Sequence, residues 1–527
     1  MLNTGDHHNC KLFDPWDDLG EKRLRLLRKS WPEVFRKHVL TNIPIGKIAD
    51  RFHQTMGRPT KDIYIVAGVL ILQQLHDLTD IETVEAVALH MTWHYALDIT
   101  DEKDMYICEK TLRNYRRRVI ELNLDVEIFK CITDKLISNF KVDTSKQRLD
   151  STGLQSAMRQ LTRLGTFVET IDKFLRELAR KCGDEFKRVD VELIRKYVER
   201  EGEGCFGSTK PSESKRRLPE VARDLFNLVM MFRGTDAASL ESFKLLERVL
   251  SEQVDVGNDD DGRPKIRVLD PDEVPCDKIS NPSDPDSSFN GYYGQGFKMQ
   301  VMESFTDDEG DADAPDMITH VEVTDMTKAD CDAVEPALDE AEGRDIKPNE
   351  LLGDTSYGTA DNRDDASERG VEIVAPTHPP KDYKSGKYSL ENFEVDENGF
   401  VVKCPAGEKP TSTRRNSDRF DARFDRKVCS GCVLADKCPC GIQAKDGRKP
   451  RLQYLRKRLE RRERLLAEKT DEFKNRYRWR AGIEATISRL KHKMNLARLR
   501  VRGKPAVTYA VVMRALGMNI LRAAAFQ

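Results

Sequence analysis

Tyr477, Arg480, Glu484 and Lys491 stand at i, i+3, i+7 and i+14, and an α-helix turning about 100° per residue would carry all four within a stripe roughly 60° wide. The chemistry of such a seam is phosphate and metal chemistry. A carboxylate holds a hard divalent cation, an arginine grips phosphate oxygens as a bidentate fork, and a lysine meets them as a point charge. Ile483, Ile487, Leu490 and Met494 form a second stripe about 90° away, the expected buried side of the helix. A solvated ladder of ion pairs, Arg480 with Glu484 among them, would present the same polar face. With 90 acidic residues in the chain, further carboxylates are singled out only by position. Asp150 and Asp354 each close a short apolar run and are followed by small or hydroxylated residues. Strand ends are where α/β sheets present reacting groups, although each aspartate would equally serve as the N-cap of a following helix.

A second constellation is sulfur. Cys404, Cys429, Cys432 and Cys438 or Cys440 gather in one region of a chain whose other cysteines are scattered. Cys429-x2-Cys432 has the spacing of a Zn²⁺ half-site, and the surrounding segment has little apolar content on which to fold without a metal. Reduced surface thiols are the other reading of the same residues. His90, His94 and His320 are isolated and read as packing or surface residues.

The elements that must position these groups follow from periodicity. Residues 20 to about 140 read as helices separated by short turns, with an apolar period near 3.6 over 60–76 and 82–97. The apolar run from Ile63 to Leu72 is about half the roughly 20 residues a membrane span requires, so it reads as a buried helix. A polar, cationic helix around Glu109–Arg118 has Thr111 as a start signal and carries Arg113, Arg116 and Arg117, as a DNA-reading helix or the face of a dimer would. A short β-like stretch near 142–150 leads into a helical insertion containing Phe167, Phe174 and Leu178, and residues 255–290 have the composition of an exposed loop, with a boundary near 257. Strands at 296–303 and 317–323, a helix at 327–342, a strand ending at Asp354, a helix at 359–369 and a strand at 371–376 then alternate as in a mixed α/β sheet. A polar, Cys-bearing insertion over 377–450 precedes helical sequence to the C-terminus.

Charge sharpens this picture. The net charge of −2 hides a segment from Arg451 to Lys504 with 19 Lys/Arg against 6 Asp/Glu, and another from Glu303 to Asp316 with 7 acids and no base. A polyanion would be drawn to the first and repelled by the second. At 527 residues, with 39% hydrophobic and 34% charged residues, several domains with ionic surfaces are expected. The start of the chain, with Asp6, His7 and His8, lacks the basic lead into an apolar stretch that marks a secretory signal, which suggests a cytoplasmic protein.

The run Tyr477-Arg478-Trp479-Arg480-Ala481-Gly482-Ile483-Glu484, followed by Lys491, resembles the Tyr-x2-Arg-x3-Glu-x6-Lys (YREK) signature of bacterial insertion-sequence DDE transposases, with every spacing matched. Arg148-Leu149-Asp150-Ser151-Thr152 is similar to that group's first-aspartate motif. Gly353-Asp354-Thr355-Ser356-Tyr357-Gly358 is similar to its second, with Ser356 where the family often has glycine. Gly57-Arg58-Pro59 and Thr111-Leu112-Arg113 resemble an InsH-type helical N-terminal domain. The resemblance implies an α/β, ribonuclease H-like mixed-sheet catalytic core at 141–376 plus 451–527, interrupted by a helical insertion at about 153–256 and the Cys-containing insertion at 377–450. An all-helical DNA-binding domain at 1–140 would precede it. It implies cleavage of phosphodiesters and transfer of the freed 3′ hydroxyl at insertion-sequence ends. Asp150, Asp354 and Glu484 would be the catalytic carboxylates and the ligands of two Mg²⁺ (or Mn²⁺) ions. Tyr477, Arg480, Lys491, Arg113, Arg116 and Arg117 would meet DNA, and a structural Zn²⁺ would sit on the cysteines. The expected partners are double-stranded DNA, as terminal inverted repeats and target, and a second copy of the chain in the DNA complex. No membrane is expected, and the cytoplasmic protein would associate with the nucleoid. A catalytically inactive or domesticated DNA-binding relative, and an endonuclease without strand transfer, are the alternatives.

Overall fold

Apolar residues fill both faces of the helix α1 (Ile63–Leu75), which is buried almost all round, and Asp62 caps its start by accepting from the Tyr64 N–H at 2.8 Å. One polar residue inside it, the buried Gln73, donates to Asp80 and Thr83 of α2 (Asp80–Leu89), whose first turn is closed by a capping box between Thr79 and Glu82. The helix expected over 82–97 is broken: His90 is extended (ψ 111°) between α2 and a short helix, Met91–Ala96, and His94 Nε2 meets the Val87 carbonyl oxygen across the break at 2.6 Å. Helices α3 (Glu109–Glu121) and α4 (Leu124–Phe140) follow, turning at Asn123, a residue in the left-handed region at φ 49°. The computed structural model describes residues 1–9, 14–199, 211–259, 261–308, 314–378, 386–440 and 450–527.

The chain divides into two compact units: Met1–Asp143 with Asp150–Ala329 and Glu484–Gln527, and Thr144–Leu149 with Asp330–Ile483. Strand β1 (Lys146–Gln155) therefore belongs to both. In the first unit, helices α5 (Arg163–Lys181), α6 (Pro211–Phe232) and α7 (Glu241–Gln253) close around Phe167, Phe174, Phe232 and Phe243, giving the helical insertion an apolar core of its own. The stretch expected to be a loop after it contains an antiparallel hairpin, β2 (Val254–Asn258) with β3 (Pro264–Val268). Val254, Ile266 and Val268 pack on the helical core while most of the hairpin stays exposed. Farther on, Asp284 anchors the loop as a fully buried carboxylate, accepting from Ser156 Oγ and from the Gly503 N–H. Strands β4 (Ser288–Asn290), β5 (Gly294–Ser304) and β6 (Ile318–Asp325) pair antiparallel. The C-terminal helix (Lys504–Ala525) packs on α1, α4 and β6. Its buried Asn519 accepts from the Ile318 N–H and donates to the Ile318 carbonyl, both at 2.8 Å, which satisfies a strand edge that would otherwise be buried unpaired.

In the second unit, β1 pairs parallel with β7 (Glu350–Leu352), which pairs parallel with β8 (Glu372–Val374). Helix α8 (Val334–Gly343) precedes β7 and starts later than the 327 expected, and α9 (Ala360–Glu368) connects β7 to β8 within a residue of the bounds expected from the sequence. The cysteine-bearing insertion differs from expectation because it does have an apolar core. Short strands β9 (Glu394–Val395) and β10 (Val401–Lys403) and a three-stranded antiparallel sheet of β11 (Ser412–Asn416), β12 (Arg419–Arg423) and β13 (Arg451–Leu455) gather Leu390, Phe393, Val401, Phe420, Phe424 and Tyr454. These residues are too far apart in sequence for any local window to count them together. After α10 (Arg456–Ala467), the segment carrying the four-residue seam is α11 (Asp471–Tyr477), a 3-10 turn (Arg478–Ala481) and α12 (Gly482–His492); the C-terminal helix is α13. No helix among the described residues is long and apolar enough to cross a membrane.

Candidate active site

Asp150 is not at the end of its strand. It is the fifth of ten residues of β1 and is nearly buried, with its own Oδ1 accepting from the Ser151 N–H at 2.9 Å. The strand continues because its second half has partners: the Gln155 N–H donates to the Ala497 carbonyl, the Leu499 N–H to the Gln155 carbonyl, and the Ser156 N–H to the Gln295 carbonyl of β5. A helix cap is excluded here, since the next helix begins at Arg163. Asp354 does follow the end of a strand, β7, and its carboxylate accepts from the Ser356 N–H at 2.7 Å, turning the chain over the buried Tyr357. The cap of α9 is Thr359, so neither aspartate serves as a helix cap. Ser356 lies outside the left-handed region, so this turn has no need of a glycine at that position. In the register of β1 on β7, Arg148 faces Leu352, and each aspartate follows its strand's residue of that pair by two.

The third element corrects the sequence reading. Tyr477, Arg480, Glu484 and Lys491 do not share one continuous helix face, because Tyr477 ends α11, Arg480 lies in the 3-10 turn, and only Glu484 and Lys491 are in α12. The cause is a residue far away in sequence: Arg148 Nη1 donates to the Trp479 carbonyl at 2.8 Å, and a Cβ on Gly482 would lie 2.1 Å from that same nitrogen. The turn is shaped to receive the guanidinium. Tyr477 is half-buried and stacks on Phe473 at 5.6 Å, and Arg480 is likewise half-buried. From Gly482 onward the expected apolar stripe holds, with Ile483, Ile487, Leu490 and Met494 all buried and Glu484 exposed.

Two contacts fix α12 within its unit. Lys491 Nζ donates to Thr152 Oγ1 of β1 at 3.1 Å, two residues along the strand from Asp150 and seven along the helix from Glu484, both spacings that return to the same face. On the buried side, Thr486 Oγ1 donates to Glu303 Oε2 of β5 at 2.7 Å, and Arg522 of α13 donates to the same oxygen at 2.8 Å and to Thr486. Glu303 is fully buried. Sequence reasoning missed Arg148, Glu303, Thr486 and Arg522. The available signal for Arg148 was strand alternation, which puts residue 148 on the face of Asp150.

Of the three arginines expected to meet DNA on α3, Arg113 and Arg117 are exposed. Arg116 is committed inward to Asp80 and to Gln73 Oε1 at 2.8 Å, so its role is packing. The cysteines do come together. Burial, and then the nearby Cys438, Cys404 and Cys432, push the Cys429 thiol up to about 11, while a hydrogen bond between Cys438 and Cys440 lowers the first thiol and raises the second. Cys440 is buried in the core of the insertion, and the Leu434 N–H reaches Cys432 Sγ at 3.4 Å. Among the described residues, however, no group of three or more His, Cys, Asp or Glu side chains is gathered as a set that could hold a metal ion.

The protein is thus of mixed α/β class, with candidate carboxylates on a strand and on a helix tied to that strand. Residues 403–524 match a family model described as a transposase DDE domain, and residues 26–118 match one described as a transposase domain (DUF772). Together these matches support an insertion-sequence DDE transposase, an enzyme acting on DNA. The first takes in Glu484, Lys491 and all five clustered cysteines; the second takes in most of α3. Asp150 and Asp354 lie outside both. No curated protein matches the chain.

Proposed function

We propose that the chain cuts DNA at the ends of an insertion sequence and joins the freed 3′ hydroxyl to target DNA, with Asp150, Asp354 and Glu484 as the carboxylates of a ribonuclease H-like core. The observation that carries this reading is the hydrogen bond from Lys491 to Thr152, which ties the helix of Glu484 to the strand of Asp150. The donor set is all carboxylate oxygen, which suits Mg²⁺ or Mn²⁺. Two such ions would supply a deprotonated water and charge stabilisation at the leaving oxygen. The chain's own contribution is positional. Lys491 meets a phosphate with its remaining donors, Arg480 and Tyr477 hold the DNA end from the preceding turn, and Arg113 and Arg117 bind backbone phosphates from α3. A second copy of the chain is required on DNA because two ends must be held at once, and a DNA-bound enzyme of this kind would associate with the nucleoid.

The experiment is cleavage of a labelled duplex carrying the flanking terminal sequence, with Mg²⁺ and with EDTA, by wild type, Asp150→Asn and Glu484→Gln. Metal-dependent nicking at the repeat boundary, lost in both variants, is expected. Sequence-specific binding without cleavage under any divalent metal would replace this reading with a DNA-binding relative, and cleavage without joining would make the protein an endonuclease. The same proposal gives the cysteine insertion a structural Zn²⁺ on Cys404, Cys429, Cys432 and either Cys438 or Cys440. Its support is the packing of Cys404, Cys429, Cys438 and Cys440 against one apolar core and the N–H···S bond at Cys432. Elemental analysis of chelator-washed protein that finds no zinc would retire it.

A further inference from the structure

Asp150 stands on a strand and Glu484 on a helix, but Asp354 is carried by the turn at residues 354–358, so what holds that turn decides where its carboxylate points. Backbone carbonyls in such a turn have no ladder of their own and must be met by other donors. The first residues of α9 supply them. Asn362 Nδ2 donates to the Tyr357 carbonyl and to the Cys331 carbonyl, both at 2.9 Å, using both amide hydrogens. Arg363 Nε donates to the Gly358 carbonyl at 3.1 Å, while Nη1 and Nη2 donate to the Ile373 and Ala375 carbonyls at 2.6 and 2.5 Å.

Those last two carbonyls lie along one edge. Among the described residues β8 is the outermost strand beside β7, and its Val374 carbonyl faces β7, accepting from the Gly353 N–H at 3.2 Å, so the carbonyls of Ile373 and Ala375 face the other way. β8 therefore grips the turn on both sides of Asp354: directly at Gly353, and through the Arg363 fork at Gly358. The fit is close, since a Cβ on Gly358 would lie 2.8 Å from both Ala375 Cβ and Arg363 Nη2. A planar guanidinium meets three carbonyls from fixed directions, whereas a lysine ammonium is a point charge on a flexible stem. Asn362 and Arg363 are half-buried and give these donors to backbone, and the backbone they hold is the one that bears the candidate carboxylate.

We propose that Asn362 and Arg363 are positioning residues for Asp354, fixing the direction of its carboxylate toward a divalent ion without touching that ion themselves. This rests on the DNA-cutting reading above. The test is Mn²⁺ binding by the full-length chain on a pre-cut terminal duplex, read from the electron paramagnetic resonance signal of free Mn²⁺, beside Mn²⁺ titrations of end cleavage and urea unfolding. Arg363→Lys and Asn362→Ala should each raise the Mn²⁺ concentration for half-occupancy, and that for half-maximal cleavage, by about 10- to 100-fold, the usual cost of losing a group that orients a metal ligand. Duplex affinity should stay within about twofold of wild type. Asp354→Asn sets the scale, since it removes the ligand itself. A lower urea midpoint with an unchanged Mn²⁺ requirement would make the two side chains structural only and overturn the proposal, as would no change in either measurement. If Arg363→Lys fails to fold, Asn362→Ala decides alone. Wild-type Mn²⁺ binding that Asp354→Asn leaves intact would overturn the place of Asp354 in the DNA-cutting reading, and this proposal with it.

Discussion

Removing the carboxylate of Glu303 tests whether the buried contact beneath α12 positions Glu484 or merely stabilises the fold. Glu303 has no exposure to solvent, and its Oε2 receives Arg522 at 2.8 Å and Thr486 at 2.7 Å. Glu303→Ala would leave the Arg522 guanidinium, only 13% exposed, with an uncompensated charge. Breaking a buried pair from one side costs about 3–5 kcal/mol. Glu303→Gln retains an acceptor for Thr486 and loses the charge-assisted part, about 1.5–3 kcal/mol. The informative variant is the double replacement Glu303→Leu with Arg522→Met, because exchanging both charged partners for apolar side chains of similar volume is often neutral or stabilising. Stability, read by urea unfolding, should therefore fall in the order wild type or double variant, Gln, Ala. If the network also orients α12, metal-dependent end cleavage should stay low in the double variant despite its restored stability, since Thr486 has lost its acceptor. Its kcat should drop with little change in KM. Double-variant protein with wild-type stability and wild-type kcat would refute the positioning role, and Glu303→Ala protein of undiminished stability would refute the energetic argument itself.

Asp125, in the first turn of α4, is buried, and desolvation raises its carboxyl to about 6. A folded value above the unfolded one gives stability that is fully present below about pH 3.8 and is lost as pH rises through 6, so Asp125→Asn should add up to about 3 kcal/mol near neutral pH and nothing in strong acid, as measured by unfolding at both. Arg113→Ala with Arg117→Ala should leave stability within about 0.5 kcal/mol and lower the salt slope of duplex binding by about 0.9 per lost phosphate contact. Arg116→Ala should do the reverse, destabilising by about 1–3 kcal/mol through the unpaired Asp80 and Gln73. Gly482→Ala should cost about 1–3 kcal/mol by overpacking, because Arg148 is buried and held by the Trp479 carbonyl and so cannot simply swing aside.

How far the sequence could be read depended on the range of the interactions that decide each element. The alternation from β5 through β8 was legible because each strand and helix there shows its own period within a dozen residues, and the buried stripe Ile483, Ile487, Leu490, Met494 was legible for the same reason. The break between α11 and α12 was not, because it is set by Arg148, 331 residues away from Trp479. The core of the cysteine insertion was hidden because Phe393, Phe420, Phe424 and Tyr454 converge from well-separated segments. Arg116 looked like its neighbours on α3 because a cation's partner cannot be seen in the sequence. The position of Asp150 within a longer strand was missed for a related reason. Asp150 and Gly153 are of types depleted in strands, and what extends β1 through them is pairing with β5 and with the segment after α12.

The break also changes which members of the four-residue seam lie on one element. In a single straight helix Tyr477 and Lys491 would be rigidly coupled over about 21 Å, and a change in the pose of one would carry the other. With the 3-10 turn before it, α12 carries only Glu484 and Lys491, and Thr486 ties it to β5 and Lys491 to β1. Tyr477 and Arg480 lie on α11 and the turn, where Arg476 is ion-paired to Glu350 and Glu372 at the starts of β7 and β8. The chain passes from one compact unit to the other immediately before Asp150 and again immediately before Glu484. Arg148 and Trp479, which the guanidinium–carbonyl hydrogen bond joins, both belong to the second unit. A guanidinium on a backbone carbonyl can hold that turn without contributing any ligand, so Arg148 shapes the segment that bears Tyr477 and Arg480 although it bears no carboxylate.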